Sequence, residues 1–159
     1  MFESQTKPAL KLKYKEVDQT HLELGCRAFP LTDYRKYSLE VLSEVLGGGM
    51  SSRLFQKIRE ELGAAYYIRA GAELFTDHGF CAVSAGVEHS KLVNVVEAII
   101  QEADKLRNVK VSPEELQKAK NHLIGKIILG LEGSDELASF YGTQEVLGSP
   151  IITPQELVE

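Results

Sequence analysis

"LGGGMSSRLFQKIREELGAAYYI", residues 46–68, holds the choice on which the fold turns. Gly47, Gly48 and Gly49 stand between an apolar run and the serines Ser51 and Ser52. Such a run either cradles a phosphate or lets the chain turn between two helices. A phosphate loop needs G-x-x-x-x-G-K-[ST]: glycine amides around the anion, a lysine for charge and a hydroxyl for magnesium. Here Met50, Ser51 and Ser52 follow the glycines, and the next lysine is Lys57. The dinucleotide fingerprint requires a strand before its glycines, whereas the residues before Gly47 have helical spacing. The run therefore reads as a helix stop, and the serines as the start of the next helix.

Working outward, a helix is expected after Thr32 or Asp33, because Tyr34, Tyr37, Val41, Leu42 and Val45 recur every three or four residues. Ser51 or Ser52 caps a second helix with Leu54, Phe55, Ile58 and Leu62 on its buried stripe, and Gly63 ends it in the left-handed conformation. "AYYIRAGAELF" (65–75) and "GFCAVSAGVE" (79–88) form a hairpin joined by "TDHG", with Gly79 available for positive φ. "THLELGCRAF" (20–29) is a further strand carrying Leu22, Leu24, Cys26 and Ala28 on one face. "ALKLKYKEV" (9–17) alternates Leu10, Leu12 and Tyr14 with lysines and fits an edge strand or an extended arm, behind a loose lead-in over residues 1–9.

Three helices follow the hairpin. The first runs from about Ser90 with Leu92, Val93, Val96, Ile99, Ile100 and Ala103 as its stripe. The second opens on Ser112, Pro113 and Glu115, a strong start signal, and the third is capped by Ser134 or Asp135. The order predicts an α+β fold in one domain over 1–159: a two-layer α/β sandwich, helices packed on one face of a mostly antiparallel sheet. Thr153, Pro154 and Glu156 announce one more helix about a turn before the last residue, so the chain is expected to be a fragment of a longer one.

With 159 residues the chain can bury a single sizeable core. Its net charge of -5 argues against a general nucleic-acid binder, and no apolar run approaches the ~20 residues of a membrane span. Cys26 and Cys81, each inside an apolar alternating run, read as buried thiols rather than as a disulfide. Inverted zinc proteases use H-x-x-E-H. The nearest approach is "AGVEH" (85–89), with Ala85 where the first histidine would stand. His21 on a strand, His78 in a turn and His122 alone in a helix read as surface or edge histidines. No metal site is expected, no G-x-S-x-G elbow is present, and neither cysteine lies beside an activating histidine. By itself this polypeptide reads as catalytically empty.

The glycine run, "SSRLF", "IRE" and a tyrosine seven residues after the arginine together resemble the second domain of the pitrilysin, insulinase and mitochondrial-processing-peptidase family of inverted-motif zinc proteases. The resemblance covers nearly the whole chain, and the bacterial members are most similar. It implies the same sandwich fold and a domain that closes over a peptide bound at a zinc site on another domain. It also implies that Arg59 and Tyr66 are the arginine and tyrosine contributed to that cleft, as substrate or transition-state contacts. Gly48, Gly49 and Ser51 would lie nearby, where backbone can meet substrate. Zinc would belong to the missing partner domain, with no cofactor in this chain. The implied partners are that zinc-bearing domain or subunit and a peptide substrate, and the isolated domain would self-associate through the surface its partner covers. Tyr67 and Leu62 depart from the family pattern, which more often has a small polar residue after the tyrosine and a basic residue before the glycine. Other readings stay open. Arg59 can simply complement a helix dipole and Tyr66 be an ordinary strand aromatic. The chain can also be a non-catalytic subunit acting as a peptide-binding or scaffold protein, or a free-standing domain that binds extended peptides at a sheet edge.

Overall fold

The computed structural model describes residues 6–158, so the first five residues of the expected lead-in lie outside the described residues. Three alternating segments form the strands β1 (Thr20–Ala28), β2 (Ala65–Leu74) and β3 (Gly79–Val87). They make one antiparallel sheet in the order β1-β3-β2. The register puts Leu22 and Ile68 beside Ala85, Leu24 and Ala70 beside Val83, and Cys26 and Ala72 beside Cys81. Because strand side chains alternate, these rows share one face, and the rows between them, such as Glu23–Ser84–Arg69, share the other.

The helical elements are α1 (Lys36–Gly47), a π-helix (Phe55–Glu61), a 3₁₀ turn (His89–Lys91), α2 (Leu92–Asn108), α3 (Pro113–Leu129), α4 (Ser134–Val146) and α5 (Pro154–Val158). α1 lies along β2, α2 meets β1 and β3, and α3 packs on α1. Between helices and sheet sit Leu54, Ile58, Ala85, Val87 and Val95, all fully buried. Burial of a Leu, Ile or Val side chain contributes roughly 1.5–3 kcal/mol, so this cluster is the main source of stability. The structure has the predicted α+β layering. No helix among the described residues is long and apolar enough to cross a membrane.

Several local expectations change. Of the two readings of residues 9–17, the edge strand is not formed among the described residues, which leaves the extended arm, with Leu10, Leu12 and Tyr14 exposed. The first helix begins at Lys36, leaving Tyr34 outside it, because the Asp33 carboxylate holds Arg35 just before it: Oδ1 accepts the Arg35 amide and Nε, and Oδ2 accepts Nη2. Leu62 is exposed because the wider turn of the π-helix carries it off the Leu54–Ile58 line. α2 presents Val95, Ala98, Ile99 and Glu102 inward and leaves Val93 and Ile100 exposed. That helix carries two overlapping apolar rows, and only one meets the sheet. α4 is capped by Gly133, with Ser134 already inside the helix. Gly79 does not adopt positive φ; it is needed because a Cβ there would strike the Phe29 carbonyl. Cys26 is exposed and Cys81 half-buried, so the two thiols are not both core residues.

The capping signals fare better. Ser112 Oγ accepts the Glu115 amide at 3.2 Å, and Thr153 and Glu156 form a reciprocal box at 2.7–3.2 Å. Glu115 also takes a bidentate pair from Arg53, 2.6 and 2.8 Å, tying the start of the π-helix to α3. Its carboxyl is held below the usual carboxylate range, first by these Arg53 bonds and against the opposing effect of desolvation. A folded pKa below the unfolded value of about 4.3 means that the pair stabilises fully above that value and loses its effect as pH falls through the folded pKa. The stability gap between wild type and Glu115→Gln is therefore expected to shrink as pH is lowered from about 6 toward 3. Chemical denaturation at several pH values measures it, and a gap independent of pH would contradict the pair's role.

Candidate functional site

The three glycines are explained by what lies against them. A Cβ on Gly47 would come within 2.8 Å of the Ala70 Cβ and closer still to that residue's backbone nitrogen. A Cβ on Gly48 would collide with the Glu44 carboxylate, and one on Gly49 would sit 3.1 Å from the His122 ring. None of the three has positive φ, so they serve close approach rather than a left-handed stop. Glu44 is buried, shares a hydrogen bond with His122 Nδ1 and meets Lys126 Nζ at 3.5 Å. Thus a buried acid on α1, covered by α3, folds back over the glycine backbone. Sequence reading missed Glu44, whose partner lies 78 residues away; its only local signal is the glycine run that makes room for it.

The serines do not cap as expected. Ser52 is buried and its hydroxyl donates to the Gly49 carbonyl at 2.5 Å. Ser51 is exposed, and Gln56 Nε2 donates to the Met50 carbonyl at 2.6 Å. Side chains of the following helix thereby close the loop onto itself.

Arg59 lies in the last turn of the π-helix, exposed, with its guanidinium 4.9 Å from the centre of the Phe55 ring. Cation–π contact of this kind holds a guanidinium in place for about 0.5–1 kcal/mol at an exposed site. Gly63 then reverses the chain at φ +53°, the left-handed conformation that glycine adopts without strain. Lys91 Nζ donates to the Gly63 carbonyl at 3.1 Å and steadies the reversal.

Beyond the reversal, β2 opens on an irregularity. Ala65 pairs with Val87 and Tyr67 pairs with Gly86, so Tyr66 is an extra residue in the ladder. A bulge of this type leaves one residue unpaired and re-aims its side chain. Strict alternation from Ile68 would turn residue 66 toward the helix layer. Instead the bulge gives that place to Ala65, and Tyr66 is 60% exposed. Tyr67 is held apart from it: its hydroxyl and His21 Nδ1 share a 3.1 Å hydrogen bond. Its ring packs over Gly86, where a Cβ would come within 2.9 Å of Cδ1.

Arg59 and Tyr66 thus sit on the two sides of one glycine reversal, one on a π-helix and the other at a β-bulge. Both kinds of distortion cost regular hydrogen bonding and concentrate at functional sites. Ser51, Gly48 and Gly49 lie in the loop that leads into the same π-helix.

The histidines are dispersed. His21 bonds Tyr67, His78 bonds Asp77 at 2.6 Å, His89 bridges Thr20 Oγ1 and the Val17 carbonyl, and His122 bonds Glu44. Among the described residues no three His, Cys, Asp or Glu side chains gather as metal ligands. The dispersed side chains among the described residues do not fit a zinc ion. A cleft of about 1070 Å³ opens elsewhere, between the start of α1, α3 and α4, with Tyr37, Glu40, Ile127 and Phe140 on its wall. Burial pushes the Glu40 carboxyl up, against the pull of Lys36. Neither Arg59 nor Tyr66 lines this cleft.

Residues 2–123 match the family model described as the peptidase M16 inactive domain, and the chain belongs to that family. An uncharacterized zinc protease of Mycobacterium leprae is 37% identical over 139 residues, which cover 87% of this chain and 31% of that protein. A conserved protein of Enterococcus faecalis superposes with TM-score 0.77 at 25% identity, over 91% of this chain and 34% of the other. The peptidase M16 inactive domain from Pseudomonas fluorescens has the same fold, with TM-score 0.77 at 20% identity over 88% and 34% of the two chains. The chain spans about a third of the length of the curated relatives it matches.

Proposed function

We propose that this chain is the substrate-covering domain of a zinc-dependent metalloendopeptidase, supplying Arg59 and Tyr66 to a cleft whose metal site belongs to another domain or subunit. The observation that carries this reading is the pairing of two exposed side chains, each on a backbone distortion, across the Gly63 reversal. Family membership, zinc protease relatives and dispersed histidines all agree with a domain that assists chemistry without holding the metal.

Zinc bound on the partner domain would polarise the scissile carbonyl and activate a water. The work of this chain is to meet the resulting charge. As negative charge builds on the carbonyl oxygen, the Tyr66 phenol donates a hydrogen bond to it. One well-placed donor of this kind contributes roughly 2.7–4 kcal/mol. Arg59, pre-ordered on Phe55, grips substrate backbone carbonyls with its fork of donors. Gly48, Gly49 and Ser51 contribute shape and one exposed hydroxyl at the edge of the cleft.

The test is peptide cleavage by this chain combined with its zinc-bearing counterpart. Tyr66→Phe is expected to lower kcat by about 10²–10³, and Arg59→Ala to act mainly on KM through lost substrate contact. Normal zinc content and an unchanged melting temperature separate these effects from misfolding. Full activity in both variants would remove the role given to the pair.

A further inference from the structure

Cys26 on β1 and Cys81 on β3 are directly opposed in the antiparallel register. Opposed residues point to the same face of the sheet, with Cα atoms roughly 4.5–5.5 Å apart in either type of pair. A disulfide accepts Cα separations of roughly 4.4–6.8 Å, so this register brings the two thiols within bonding reach. Cβ atoms of opposed residues are roughly 4.5–5.5 Å apart, against roughly 3.5–4.5 Å in a disulfide. The remaining approach falls to β1, which among the described residues lies at the edge of the sheet and is held by one neighbouring strand.

Access is asymmetric. Cys26 is exposed and open to small reagents, while Cys81 is half-buried with its Sγ 3.5 Å from Ser43 Oγ on α1. Burial raises the Cys81 thiol, and the Ser43 contact opposes that shift. An exposed thiol with a neighbour facing it is the arrangement of an attacking and a resolving cysteine.

We propose that Cys26 and Cys81 form a dithiol site that exchanges with low-molecular-weight disulfides and closes into a cross-strand disulfide. The Cys26 thiolate attacks one sulfur of the small disulfide, forming a mixed disulfide and expelling one small thiolate. Cys81, having given its proton to solvent, then attacks Cys26 Sγ and expels the second. Two protein thiols are oxidised and one small disulfide is reduced to two thiols, so atoms and electrons balance. The product bridges β1 to β3. Because it is reachable from solvent through Cys26, it remains open to the reverse exchange.

The site is separate from Arg59 and Tyr66. Tyr66 follows Ala65, which pairs with Val87 at one end of β3, and Cys81 lies six residues from Val87 along that strand, roughly 20 Å at 3.3 Å per residue. The role given to either site therefore stands or falls without the other.

The experiment treats the folded full chain with excess glutathione disulfide and maps its peptides by mass spectrometry without reduction. These are the only two cysteines of the sequence. The expected product is one intramolecular peptide pair joined through Cys26 and Cys81, with both free thiols lost and both regained on adding dithiothreitol. Cys81→Ser is expected to stop at glutathione attached to Cys26, and Cys26→Ser to form no internal bridge. A wild-type chain that keeps both thiols, stops at the mixed disulfide, or links only between molecules would overturn the proposal.

Discussion

Gly47→Ala is expected to destabilise the domain, although alanine is the better helix former. Gly47 ends α1 where it lies along β2, and an added Cβ would stand 2.8 Å from the Ala70 side chain and closer to its backbone. Backbone cannot give way as a flexible side chain can, so α1 must lift from the sheet. Overpacking typically costs about 1–3 kcal/mol and sometimes more, against a helix-propensity gain of about 1 kcal/mol. Gly125 supplies the control, because it lies within α3 and a Cβ there meets nothing within 4 Å. Gly125→Ala is expected to stabilise by about 0.5–1 kcal/mol. Gly47→Val should go further and prevent soluble folding. Melting curves of the two alanine variants decide the matter: shifts of the same sign would refute the close-approach account.

Ile58→Ala is expected to cost about 2–5 kcal/mol, out of a total that for an ordinary domain is about 5–15 kcal/mol. Ile58 is fully buried and its carbonyl accepts the Ala64 amide at 2.9 Å, so it anchors both the π-helix and the reversal after it. Each kcal/mol shifts the melting temperature of a domain this size by roughly 2–4 °C, which makes the effect easy to see by calorimetry. The same change should loosen the segment presenting Arg59. On the proposed function, peptide cleavage by this chain combined with a zinc-bearing counterpart is then expected to fall even at temperatures where the variant stays folded. A loss of stability below about 1 kcal/mol would mean that the π-helix is not a core element.

The strands and the main turns were legible because their signals are local. Leu22, Leu24, Ile68, Val83 and Ala85 alternate as half-buried strands must, and each lies where the alternation puts it. Gly63 needs only its own backbone to mark a reversal, and Ser112 needs only Glu115 three residues on. Arg59 and Tyr66 were named by the family resemblance alone, and neither the π-helix nor the β-bulge that carries them was legible in their residues.

Features that depend on distant partners were not legible. Glu44 looks like a stray charge in an apolar run until His122 and Lys126 arrive from α3. Either apolar row of α2 satisfies helical periodicity, and contact with the sheet decides that Val95 and Ile99 go inside. Cys26 and Cys81 stand 55 residues apart and become neighbours only through strand pairing.

Hydrophobic period, capping residues and the glycine reversal determine the element order and the α+β class, because each acts within one or two turns of chain. The tertiary structure decided what the glycine run is for. Gly47 lets α1 approach β2, and Gly48 and Gly49 leave room for a buried acid and the histidine that covers it. Packing also coincides with the change of the second helix to a π-helix and of the start of β2 to a bulge. Such distortions cost local hydrogen bonding, so no local preference announces them; they persist where burial of Leu54 and Ile58 outweighs that cost.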